Sequence, residues 1–378
     1  MSRKRSIFEE VGEAARPDEA PQGGLIARGQ GARRAIRLWL MSLFALVAAM
    51  IVVGGLTRLT GSGLSITEWA PVTGAIPPMS EADWQAEFER YRAIPQYELV
   101  NRGMSLEEFK VIYWWEWGHR QLGRLVGLVW AVGFFGFLIA RKIPAGWTPR
   151  LLGLGALGGL QGAIGWWMVA SGLEDGMIAV ASYRLAVHLG LAFVILGLLA
   201  WYIMAMGRGA ADLMQARRAR EGRLVALSTG WMHFAFLQIV TGALVAGIEA
   251  GRAFPEWPLM AGQIIPPNAF DMEPLWRNLF ENPGLTQFFH RTLGYLLVVF
   301  GLFVWWRARA SAHAGTRTAF HLAGAALVAQ LVLGIATVIH AAPWQLAIAH
   351  QGLAIVLFVL IIRARFVAQY PPAQRLRA

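Results

Sequence analysis

Eight stretches of this chain stay apolar for about twenty residues at a time, enough to cross the ~30 Å hydrocarbon core of a bilayer at ~1.5 Å of rise per residue. They run from about 36 to 57, 118 to 140, 151 to 170, 185 to 206, 224 to 247, 290 to 306, 320 to 339 and 345 to 362. In lipid each backbone amide must find its partner inside the protein, and continuous runs of this length do so as helices. The fold class expected is an all-α integral membrane protein with eight transmembrane helices. Of 378 residues, 56% are hydrophobic and only 15% charged, with 17 Trp, a balance that suits lipid as solvent.

Basic residues give the orientation, because they collect in short loops on the cytoplasmic side. With the N-terminus inside, the inner segments (1–37, 141–150, 204–223, 307–317, 363–378) hold 23 of the 34 Lys+Arg and 7 of the 23 Asp+Glu, a net of +16, and the rest of the chain carries −5. The overall +11 therefore reads as topology, and no nucleic acid is expected as a partner. Zero cysteines exclude disulfides, thiolate metal sites and thiol catalysis. The first thirty residues lack the apolar core of a cleavable signal, and Glu9, Glu10, Glu13, Asp18 and Glu19 argue against an organelle transit peptide. They read as a disordered cytoplasmic arm (1–30), and the membrane as a bacterial cytoplasmic (inner) membrane with both termini inside.

The chain repeats itself. GLTRLTGSGLSITEWAPVTGAIPP (Gly55 to Pro78) is echoed by GALVAGIEAGRAFPEWPLMAGQIIPP (Gly242 to Pro267), HRQLGR at His119 by HRTLGY at His290, and VHLGLA at Val187 by AHQGLA at Ala349. LQGAIG at Leu160 is echoed more weakly by AQLVLG at Ala329. Four matches in the same order predict two homologous four-helix bundles, residues 31–206 and 224–365, joined by a cytoplasmic linker, 207–223, and followed by a tail, 366–378. With an even number of spans in each half, the halves share one orientation and a pseudo-two-fold axis along the membrane normal.

The repeat selects four of the eight histidines: His119 and His290 at the outer start of the second and sixth spans, His188 and His350 near the outer start of the fourth and eighth. An ionisable group inside a span is costly and faces a partner within the bundle. Two neutral imidazoles on facing helices are what a haem iron needs as axial ligands. A lone histidine here reads as a helix cap or a headgroup-layer residue, and duplication favours ligation; zinc is the weaker alternative, since a third ligand has no repeated counterpart. His233, His313, His321 and His340 lack matching partners and read as ordinary surface or helix-end residues.

GGLTRLTGSGLS at Gly54, EWGHRQLGR at Glu116, HLG at His188, QFFHRTLGY at Gln287 and AHQGL at Ala349 together resemble the haem A synthase family, over about residues 35 to 362. Part of that family carries an outer-loop cysteine pair, so this chain is similar to the cysteine-free branch. The resemblance implies oxidation of a methyl group of haem O to a formyl group by successive hydroxylations, giving haem A for cytochrome oxidase. It implies haem O as substrate between His119 and His188, and a resident haem b between His290 and His350.

The halves differ at one position that bears on the chemistry. Glu116 stands three residues before His119, where the second half has Gln287 before His290. Three residues apart shares a helix face, and a carboxylate beside a substrate handles protons or charge better than an amide does, so Glu116, His119 and His188 form the expected reaction site. The plain alternative for Glu116 is an acid favoured by the dipole at a helix N-terminus. Arg120 and Arg291, with Arg58 and Arg184, stand at a depth suited to haem propionates or to interfacial anchoring. The outer segment 58–117 carries two helix-start signals, Ser80 with Asp83 and Ser105 with Glu108. Its aromatic residues suggest short surface helices, as a lid over the site or as an interfacial belt.

The partners expected are haem O and haem A, the lipid bilayer and an unidentified electron donor, with haem O synthase and oxidase assembly factors as further candidates. A homo-oligomer is compatible with the sequence but not specified by it. Two rival functions stand beside the enzyme: a di-haem electron-transfer cytochrome, and a haem transporter or chaperone.

Overall fold

A computed structural model describes residues 25–372, with side chains from residue 31 onward. Twelve α-helices make up nearly all of the regular structure: α1 (Leu25–Leu59), α2 (Glu81–Arg92), α3 (Pro95–Leu99), α4 (Leu106–Ile139), α5 (Thr148–Gly172), α6 (Ser182–Met206), α7 (Ala210–Arg218), α8 (Gly222–Gly247), α9 (Asn278–Glu281), α10 (Pro283–Ala308), α11 (Ala314–Ile339) and α12 (Trp344–Gln369). Eight of them, α1, α4, α5, α6, α8, α10, α11 and α12, are long and apolar enough to cross a membrane. The chain is thus a multi-pass membrane protein. A 26-residue helix rises roughly 39 Å, so each span has a turn or two to spare beyond the hydrocarbon core.

Local signals place the helix ends. Ser80 and Ser105 each accept from the third helical amide, and Asp83 and Glu108 reach back to the serine amide, so both expected capping boxes form. The second one opens α4 itself, whose first three turns precede the span expected from residue 118, instead of a separate surface helix. Those turns stay helical because they bury Phe109 and Tyr113 against Phe88 and Tyr91 of α2, an aromatic cluster that runs the helix past the end of the apolar stretch. Asn282 caps α10, accepting from Leu285 at 3.1 Å, with Pro283 in its first turn. The expected linker holds one short helix, α7. The expected N-terminal arm lies outside the described residues up to 24, while α1 already begins at Leu25, before the expected start of the first half.

Neighbours follow the same order in both halves. In the first, α1 lies against α4 and α6, and α5 against α4 and α6; in the second, α8 lies against α10 and α12, and α11 against α10 and α12. The halves meet through α6 on α8, α1 on α12 and α6 on α12. At this seam Phe193 meets Phe358 edge to face, and Leu196, Leu199, Ile361 and Ile362 are fully or almost fully buried. Only 6% of the apolar window of α4 is buried against 44% for α6, so α4 is peripheral and turned to lipid while α6 is central.

Close helix contacts are made through glycine notches, as in lipid, where packing supplies the driving force. The Trp39 indole of α1 lies over Gly133 of α4, and Trp130 of α4 over Gly155 of α5; a Cβ at either glycine would come within 2.0 Å of the ring. Each indole N–H then reaches a helix carbonyl, Trp39 to Val129 at 2.9 Å and Trp130 to Leu151 at 3.0 Å.

Candidate functional site

The four repeated histidines each meet a glycine on a neighbouring helix. His119 of α4 faces Gly54 of α1, His188 of α6 faces Gly165 of α5, His290 of α10 faces Gly242 of α8, and His350 of α12 faces Gly334 of α11. A Cβ at those glycines would lie 2.8, 2.9, 3.1 and 2.9 Å from the imidazole Cε1. No side chain other than hydrogen fits without displacing the ring. All four histidines are half-buried.

Three of the four share a second contact. Gln161, Gln238 and Gln330 stand one turn before the glycine, at i−4, on α5, α8 and α11. Each amide nitrogen donates to the carbonyl of its histidine, at 3.0, 2.9 and 3.0 Å, and lies 3.1, 3.1 and 3.3 Å from Nδ1 of the ring. The Thr241 hydroxyl adds a contact of 3.0 Å to His290 Nδ1. Sequence reading missed these residues, although the weak echo of LQGAIG by AQLVLG contains both the glutamine and the glycine. The first-loop alignment also began one residue late: the shared Glu-Trp at Glu68 and Glu256 pairs Gly54, not Gly55, with Gly242.

Of the other four histidines, His313 just before α11 is half-buried and keeps a buried Nδ1 without a partner. His233 and His340 are exposed and sit 2.8 Å from the carbonyl four residues earlier on their own helix, Thr229 and Ala336. Exposed His321 accepts from the Trp305 indole.

Glu116 is 3% exposed and fully engaged. Its Oε2 accepts from the Ser65 hydroxyl and the Ile66 amide, both at 2.8 Å; its Oε1 accepts from Arg120 Nε at 3.1 Å and Nη2 at 2.7 Å. Arg120 also donates to the carbonyls of Ile66 and Glu68. Together they clamp the loop after α1 onto α4. Because α4 begins at Leu106, Glu116 lies three turns inside the helix, and the dipole explanation for an acid at its N-terminus does not apply. Burial of a carboxylate here rests on the charge partner and the two added donors.

In the second half Arg291 donates to the Phe254 carbonyl at 2.8 Å, the counterpart of Arg120 on Ile66. Gln287 reaches the same carbonyl only weakly, at 3.4 Å, and its Oε1 has no partner. Arg58 bridges the halves, donating to Glu249 and to the Gly247 carbonyl, and Arg184 donates to the Trp167 carbonyl. Arg58, Arg184 and Arg291 each keep a buried Nε without a partner, whereas all three guanidinium nitrogens of Arg120 are bonded. Trp69 of the clamped loop stacks at a tilt on Trp166, beside Gly165, at 5.2 Å, and Arg120 lies over the Trp166 ring.

Among the described residues no three of His, Cys, Asp or Glu converge. Two imidazoles per half, each held edge-on in a glycine notch amid apolar helices, suit a haem iron: His119 with His188 could hold one, and His290 with His350 another.

Residues 37–362 match the model of the family described as cytochrome oxidase assembly protein, COX15-CtaA. Three relatives carry the name heme A synthase and align over almost the whole of both chains. That of Ruegeria pomeroyi is 67% identical over all of this chain and all of its own length. That of Dinoroseobacter shibae is 64% identical over 100% and 99%, and one from Cereibacter sphaeroides is 62% identical over 99% and 98%. With a family match over residues 37–362 and relatives of this identity aligned end to end, the chain belongs to the haem A synthase family of cytochrome oxidase assembly proteins.

Proposed function

We propose that the chain oxidises one methyl group on the rim of haem O to a formyl group, giving haem A. The observation that carries this reading is the pair of glycine-cradled imidazoles in each half of a chain from this family. In each of two hydroxylations a C–H bond of the methyl carbon gives way to a C–O bond and two electrons pass to an external oxidant such as dioxygen; the geminal diol that results loses water to leave the aldehyde. His119 and His188 bind and orient the substrate haem. His290 and His350 hold haem b, which when bound supplies one-electron chemistry.

Glu116 takes two parts in this account. It fixes the Ser65–Ile66 backbone, and its Oε2 becomes a proton acceptor when that loop lifts away. Arg291 suits a propionate through its unpartnered Nε, while Arg120 serves first as the clamp on Glu116. Both termini are assigned to the cytoplasmic side by the excess of basic residues in the loops on that side. The two halves are read as a duplication about an axis along the membrane normal, supported by the matching helix neighbours and histidine–glycine pairs. An electron donor, haem O synthase and oxidase assembly factors are the partners this reading calls for.

Extraction and mass analysis of the haems test it, on protein purified from cells with and without a supply of haem O, for the parent and for Glu116→Gln. Haem b beside haem A or its hydroxylated precursor in the parent, with the oxidised haem lost and haem b kept in the variant, supports the enzyme. Unmodified haems alone, in the presence of haem O and oxygen, point to the di-haem carrier or the chaperone instead.

A further inference from the structure

Three of the four histidines share a glutamine contact that the fourth lacks. On α5, α8 and α11 the residue four before the cradle glycine is Gln161, Gln238 or Gln330, and its amide grips the histidine carbonyl and faces the ring. On α1 that position is Met50. The register is fixed by the offset that pairs Gly54 with Gly242, and the packing agrees with it. A Cβ at Gly123, one turn beyond His119, would lie 3.2 Å from Met50 Cε, and one at Gly294, one turn beyond His290, would lie 3.2 Å from Gln238 Nε2. The thioether tip therefore sits where the second half puts an amide. The residue before the cradle glycine is apolar beside three of the histidines, Val53, Ile164 and Leu333, and only His290 meets a hydroxyl there, that of Thr241.

The consequence is visible at the ring. His119 Nδ1 is buried and has no hydrogen-bond partner, whereas Nδ1 of His188, His290 and His350 each lies beside a glutamine amide. A ligating imidazole is oriented by the groups that fasten it, and removing such a partner costs about 10- to 100-fold in affinity. A glutamine NH2 donates to the histidine carbonyl; a methionine thioether has no N–H to donate.

The geometry points to His119 as the exchangeable member of the first pair, set loose by Met50, with His188 as the anchor held by Gln161. Met50 is a positioning residue that acts through His119. This rests on the reading that the first half binds the substrate haem. His119 would be the ligand that gives way, keeping its electron pair, to an external donor that brings its own pair, with no change of oxidation state. Exchange then occurs on the α4 side, next to the Glu116 clamp, and both members of the second pair stay bound.

Carbon monoxide binding to the reduced, doubly loaded protein tests the inference. In the parent, one haem of the two is expected to take up carbon monoxide. Restoring the missing amide with Met50→Gln should weaken that uptake about tenfold. The reverse exchange, Gln330→Met, should make the second-half haem reactive as well. Opposite shifts from mirror-image changes are not what a loss of packing alone would give. The inference is overturned if the first variant binds carbon monoxide like the parent, or if the second binds no more than the parent; should the first variant lose its haem, the second decides alone. Haem masses from the same samples separate the two levels. A parent with no haem in its first half contradicts the functional reading, and full loading with unmoved carbon monoxide affinity contradicts only the role of Met50.

Discussion

Replacing Glu116 by Gln should release the loop after α1, and the size of the effect follows from its hydrogen bonds. The carboxylate receives four: Ser65 Oγ and the Ile66 amide on one oxygen, Arg120 Nε and Nη2 on the other. A carboxamide offers one acceptor oxygen and an NH2 group, so whichever way it turns, its NH2 faces two donors. Bonds to a charged group contribute roughly 1.5–3 kcal/mol each, and breaking a buried pair costs about 3–5 kcal/mol. Arg120 is 19% exposed, so water recovers part of this, and roughly 2–4 kcal/mol of local stability should be lost. That corresponds to roughly 30- to 1,000-fold faster opening at ~1.4 kcal/mol per decade. Hydrogen exchange measured by mass spectrometry in lipid nanodiscs should show it as lost protection over Ser62 to Trp69, with the helix amides of α4 unchanged. Ser65→Ala removes one donor and leaves the charge pair, so a loss of only ~1 kcal/mol is expected there. Unchanged protection at Ile66 in Glu116→Gln would refute the clamp.

Gly334→Ala places a Cβ 2.9 Å from His350 Cε1, so the imidazole must shift, and the haem content of the second half should fall while that of the first is kept; pyridine haemochrome and mass analysis read this. Gly155→Ala drives a Cβ to within 2.0 Å of the Trp130 ring and should cost about 1–3 kcal/mol by overpacking, seen as a lower thermal midpoint in detergent with unchanged haem spectra. Ser80→Ala removes the cap of α2 and should raise amide exchange there by the equivalent of about 1 kcal/mol. The Ser80 hydroxyl and amide hold the Asp83 carboxyl below its usual value, so this cap is at full strength above the ordinary aspartate range and is lost as pH falls through the lowered value. Exchange of α2 in the parent should therefore approach that of the variant only in strong acid.

Period and length made the spans legible in the sequence, since a run of twenty apolar residues has few other uses. The duplicated histidines were legible for the same reason, as polar groups are rare in such runs and a repeated one stands out. The start of α4 was not, because its first turns are amphipathic and owe their helicity to Phe109 and Tyr113 buried under α2, a tertiary contact no local pattern shows. Glutamine and glycine carry little signal alone, so the Gln161, Gln238 and Gln330 contacts emerged only when helices from distant segments were brought together. Glu116 was found by its offset from His119, but its bonds to Ser65 and Ile66 depend on a loop fifty residues away, which spacing along one helix does not reach.

The central claim is that the four histidines act as two pairs, one for each half. Haem stoichiometry and electron paramagnetic resonance of His119→Ala, His188→Ala, His290→Ala and His350→Ala test it most directly. The account predicts that the last two disturb one and the same haem signal, that of haem b, and that the first two leave that signal intact while altering the other. A haem b signal that survives both His290→Ala and His350→Ala, or one lost with His119→Ala, would contradict it.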